Sequence, residues 1–96
     1  MSYVKFQDRD WLLCPNCEAF LLHHGKVTIF EREKEDAPSS AIEVDGRKVD
    51  FQKQPKSDNP SGRRNGIVIH FWCENCPATP ELTIAQHKGT TIVAWR

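Results

Sequence analysis

The chain reads as a small, mainly β protein, a sheet of antiparallel hairpins stapled at one place by four cysteines. Three observations predict this. The apolar runs are short, rich in Val, Ile, Phe and Trp, interrupted by Gly, and almost free of helical period. All four cysteines fall into two C-x-x-C pairs, Cys14-Pro15-Asn16-Cys17 and Cys73-Glu74-Asn75-Cys76. A chain of 96 residues makes one domain with a limited core, for which a metal or disulfide staple is expected.

Taken in order, Trp11-Leu12-Leu13 is a strand leading into Cys14. A first hairpin follows, with Phe20 to His23 running up, Lys26 to Phe30 running down, and His24-Gly25 as the turn. It sets Leu22 opposite Val27 and Phe20 opposite Ile29. A second hairpin turns at Asp45-Gly46, a favoured type I′ pair, and sets Ile42 against Val49 and Glu43 against Lys48. The strand Ile67 to Trp72 leads directly into Cys73. Its two faces are both largely apolar, which predicts a central strand covered on both sides. A third hairpin turns at Lys88-Gly89 and opposes Ile84 to Val93 and Leu82 to Trp95.

Between Phe51 and Ile67 the material changes. Residues 52–66 contain no large apolar side chain and carry Lys53, Lys56, Arg63 and Arg64 against the single acid Asp58. Such a stretch cannot bury enough surface to offset its ordering entropy, so an exposed, mobile loop is expected. A second polar joint, residues 31–40, separates the first two hairpins.

Thirteen Lys and Arg balance thirteen Asp and Glu, so no global charge draws the chain to nucleic acid or an anionic membrane. The first ten residues lack the apolar region of a secretory signal, and no run approaches the ~18 apolar residues of a membrane span. A cytoplasmic protein is the expectation, and in a reducing compartment paired C-x-x-C motifs read as metal ligands before disulfides. Two cysteines at i and i+3 on a tight turn grip one side of an ion. Two such turns close a tetrahedral four-sulfur shell around structural Zn²⁺, with Fe in a similar shell as the lesser alternative.

The paired knuckles resemble the zinc-ribbon superfamily. In ribbons the two C-x-x-C turns are separated by ~15–20 residues, whereas fifty-five lie between Cys17 and Cys73. Removing 31–66 as one insertion, which holds the second hairpin and the basic loop, leaves nineteen. An elaborated ribbon spanning 1–96 is therefore the expected fold. Ribbon knuckles often carry Gly after the second cysteine; this chain has Glu18 and Pro77. The resemblance implies binding rather than catalysis and names no partner.

Trp72-Cys73-Glu74-Asn75-Cys76 also resembles the Trp-Cys-x-x-Cys of thioredoxin-like redox proteins, a minor alternative. There the motif opens a helix that lowers the thiol pKa, but Pro77 and Pro80 disfavour a helix here. Among the histidines, His70 reads as a strand residue or a donor to a ligating sulfur, and His24 and His87 as solvated hairpin tips. No nucleophile–base set, carboxylate pair or phosphate loop can be assembled, so an enzyme is not expected.

Two functions follow. In the first, Lys53, Lys56, Arg63 and Arg64 form a basic arm that reaches nucleic-acid phosphates; aromatic rings could stack on bases, although most of them are expected in the core. The bland reading of the same arm is a solvated loop. In the second, the chain is a protein-interaction adaptor or an inhibitor of a larger complex, in the manner of compact proteins carried by phages and mobile elements. The neutral total charge favours the second and the clustered basic loop the first. An exposed sheet edge would also let two copies pair as a homodimer.

Overall fold

The computed structural model describes residues 3–53 and 58–96. Its strands are β1 (Phe6–Gln7), β2 (Trp11–Leu12), β3 (Leu22–Glu31), β4 (Ser40–Asp45), β5 (Lys48–Gln52), β6 (Gly66–Cys73), β7 (Glu81–His87) and β8 (Thr90–Trp95). No helix occurs among the described residues. β1 and β2 form a two-stranded ribbon, and the other strands form one six-stranded sheet in the order β5-β4-β3-β6-β7-β8. Every pairing is antiparallel.

The β7–β8 hairpin has the register its apolar alternation predicts, with Ile84 opposite Val93 and Leu82 opposite Trp95. Lys88 and Gly89 both take positive φ (49° and 81°), the conformation a two-residue hairpin turn requires. The β4–β5 hairpin also forms, but its register differs by two residues from the sequence expectation. Ile42 faces Phe51, Glu43 faces Asp50, and Val44 faces Val49. The turn lies at Gly46-Arg47, with Gly46 at φ 64°, one position later than Asp45-Gly46. A turn moved by one residue shifts each partner by two, so every side chain keeps its face and the apolar pattern fits both registers.

The first expected hairpin does not exist. His24-Gly25 makes no turn; Leu22–Glu31 runs through as one strand with a bulge between His24 and Val27. Both halves of β3 find a partner in β6, His23 opposite Trp72 and Val27 opposite Ile69. A continuous ladder against a long, apolar strand replaces a local turn. Phe30 lies opposite Gly66, so the two ends of the 31–66 segment meet across that ladder, and β4–β5 hangs from the outer edge of β3.

The two faces of the sheet are unlike. On one, Phe30, Ala41 and Val68 form the buried core cluster, among polar side chains such as Glu43, Asp50, His70 and Glu81 placed on that face by the registers. Residues 58–65 fold down over this cluster, where the sequence predicts an exposed loop. Ser61 is buried, its hydroxyl donating to the Gln86 carbonyl (2.9 Å) and accepting from the Arg64 amide (2.9 Å). Arg32 donates to the carbonyls of Arg64 (2.8 Å), Ala37 (2.6 Å) and Ser61 (2.9 Å), which ties both polar joints together.

The opposite face presents Val27, Ile29, Ile42, Val44, Ile67, Ile69 and Ile84, none of them buried, with Val49, Phe51 and Val93 exposed at the two margins. Only its cysteine end, at Leu82 and Trp95, is covered. β6 is thus central, as expected, yet it is not covered on both sides, and Trp72 is 48% exposed.

Candidate metal centre

The four cysteines converge at one end of the sheet. Cys14 and Cys17 lie on a turn after β2, closed by the Glu18 amide donating to the Cys14 carbonyl (2.9 Å) and the Cys14 amide donating to the Ala19 carbonyl (2.8 Å). Glu18 holds the left-handed conformation at φ 62°, the position where glycine is common in such turns. Cys73 ends β6 opposite Leu22, and the Glu74 amide donates to the Leu21 carbonyl (3.0 Å), which fixes the second turn to the start of β3.

The ligand atoms of all four lie within 4.8 Å of one another. Cys14 and Cys76 have their Sγ atoms 3.7 Å apart, and Cys17 and Cys73 theirs 3.6 Å apart. A tetrahedral metal with bonds of about 2.3 Å to sulfur places its ligands about 3.8 Å apart. The cysteines are unbridged, so the shell fits a single ion.

The thiols of the shell are shifted in opposite directions. Burial pushes the Cys73 thiol up to about 11. A hydrogen bond from the Asn75 side chain, helped by the Ala19 amide, pulls Cys17 down to about 6, and the Asn16 side chain lowers Cys76. Thiolates crowded this closely repel, and a divalent cation is what lets all four ionise together. The amide two residues after a cysteine serves three of the sulfurs: Ala19 to Cys17, Asn75 to Cys73, and Ala78 to Cys76. Pro77, which has no N–H, stands at the one position that scheme leaves unused.

Asn16 and Asn75 were not singled out in the sequence, although the signal was present, since each immediately precedes the second cysteine of its pair. Asn16 Nδ2 reaches across to Cys76 Sγ at 3.4 Å and so joins the two turns. His70 makes no contact with the shell; its Nδ1 lies 3.3 Å from Glu81. His23 stacks on Trp72 (centroids 4.3 Å apart, 11° between planes) and contacts Glu74 at 3.2 Å. His24 and His87 are exposed.

The basic arm is described in part. Lys56 lies outside the described residues, and Lys53 is exposed just after β5. Arg63 is bidentate to Asp36, with Nε and Nη2 each 3.0 Å from a carboxylate oxygen, and also reaches Glu35 at 2.6 Å. Arg64 contacts Glu35 at 3.1 Å. Glu35 and Asp36 belong to the polar joint 31–40, whose role as counter-charge had no local signal in the sequence.

No protein-family model matches the chain, and neither a curated protein nor a solved structure matches it. Among the described residues, no helix is long and apolar enough to cross a membrane.

Proposed function

We propose that this chain is a non-enzymatic, zinc-stapled interaction module, an elaborated ribbon in architecture, and that its partner is a protein. The observation that carries the reading is the fate of Arg63 and Arg64. Both guanidinium groups face carboxylates of the same chain, Glu35 and Asp36, so the arginine half of the charge cluster that argued for phosphate binding is compensated. Large apolar side chains stand in solvent close in sequence to the first cysteine pair instead. Trp11 and Phe20 pack at a 4.8 Å centroid separation and are each about half exposed. Exposed aromatic clusters of this kind mark protein contacts more often than solvated surface.

The metal's chemistry is structural: zinc in a closed four-thiolate shell holds the fold and offers no open position to a substrate. Contact with nucleic acid is the second reading, favoured by Lys53 and by the exposed Trp72 ring held flat on His23.

Fluorescence anisotropy of labelled single- and double-stranded DNA and RNA at low and high salt separates the two, with the Arg63→Glu/Arg64→Glu variant beside the parent. The expected result is no binding at low salt. Salt-sensitive binding lost in the variant overturns the protein-partner reading in favour of the basic arm.

A further inference from the structure

We infer that the open aliphatic face of the six-stranded sheet is the inner face of a two-layer sandwich whose second layer is another copy of this chain. The inference is independent of the partner proposed above and concerns a different surface.

Stable domains bury a sheet face against a second layer. Here the main contacts of each strand in the sheet are with its ladder neighbours, and away from the cysteine end no other strand lies over the face among the described residues. The molecule is correspondingly thin, 19 Å in its shortest dimension against 39 and 31 Å in the others. The cap of residues 58–65 lies on the opposite side, over Phe30 and Val68, where a Cβ at Gly66 would strike Pro60. The side with the greater apolar content is therefore the one left uncovered.

Three features point to a second copy as the occupant. First, among the described residues the face carries no charged side chain between one rim, where Glu31 and Lys53 lie, and the cysteine end, so its interior offers no charge by which a different partner is chosen. A neutral aliphatic surface complements itself, which is what an isologous two-fold contact needs. Second, the area suffices. Five strand spacings of about 4.8 Å and a face about five residues deep, enlarged by the protruding Val49 and Phe51, remove on the order of 1,000 Å² from two copies, the lower bound of a specific interface. Third, the most exposed members, Val49 (71%) and Phe51 (62%), lie on the outermost strand, β5. When two sheets stack about 10 Å apart at roughly −30°, marginal strands of one copy overlie the other sheet, so these side chains gain cover there.

Sedimentation equilibrium of the metal-loaded full chain tests this. The expected result is a reversible species of twice the 11.0 kDa chain mass, with a dissociation constant on the order of micromolar for so small an interface. Val49→Lys and Phe51→Glu, both at exposed positions that the isolated fold tolerates, should each weaken the dimer at least tenfold without altering the circular dichroism spectrum. Asp50→Lys, on the other face of the same strand, should leave it unchanged. A parent chain that stays monomeric at about 100 µM, well above that constant, overturns the proposal and leaves the face to an unrelated protein. A dimer that survives Phe51→Glu but is lost on Thr91→Pro, which removes an amide facing away from β7, also overturns it, because the copies then pair through the β8 edge.

Discussion

Phe30 stands directly opposite Gly66 in the central ladder, so one cross-strand pair joins the two ends of the segment that carries β4, β5 and the cap. Gly66 has no room for a side chain: an added Cβ would meet Asn59 and come within 2.8 Å of Pro60 Cγ. Asn59 is itself pinned, accepting from the Ser61 amide and donating to the Arg64 carbonyl and the Ser39 hydroxyl. Gly66→Ala should therefore lift the cap and cost about 1–3 kcal/mol, the usual range for overpacking. Urea unfolding measures it, and an unchanged midpoint would refute the close approach.

The Arg32 side chain satisfies three carbonyls across both polar joints. Arg32→Met keeps the stem but leaves those acceptors without donors, with an expected loss of about 2–3 kcal/mol. Arg32→Lys should recover only part of it, since an ammonium cannot reproduce the planar fork. Equal stability of the lysine variant and the parent would show that charge, not geometry, holds the joint.

The metal should come away with acid. Its ligands bind as thiolates, so protons compete with the ion and affinity falls as pH falls. Titration with a chromogenic chelator should show one ion released per chain, with loss of the β signal in circular dichroism. A chain that keeps its β signal after verified metal removal would defeat the structural role. Elemental analysis of the purified protein decides between zinc and iron.

The Asp36 carboxyl is held below its ordinary value of 3.8, chiefly by the hydrogen bond from Arg63. A depressed acid contributes stability above its unfolded pKa and loses that contribution as pH falls through the folded value. NMR titration should thus find the Asp36 midpoint below 3.8 and moved back toward it in Arg63→Ala. The same midpoint in both proteins would mean the bidentate pair does not persist in solution.

What the sequence disclosed depended on how far apart the interacting residues are. The β7–β8 register was readable because Lys88-Gly89 admits one turn and the flanking residues alternate strictly. The cysteine set was readable because its count and spacing have few other uses. The continuity of β3 was not, since Gly25 resembles a turn residue and only the remote strand β6 decides against it. Period-two alternation left two registers open for β4–β5. The ion pairs of Arg63 and Arg64 were hidden for a related reason: Glu35 and Asp36 are about as far along the chain as the β3–β6 crossover itself.

That crossover also orders the events of folding. The β4–β5 and β7–β8 hairpins close over a few residues and form on the microsecond scale, whereas β3 must find β6 across more than thirty. The cysteine turns sit at the far end of that same ladder, with Leu22 opposite Cys73. An ion captured early by the first pair and handed the second would bring β3 and β6 into register from that end. The metal then accelerates the slowest search the chain has to make, and refolding should be faster with zinc present from the start than with zinc added late.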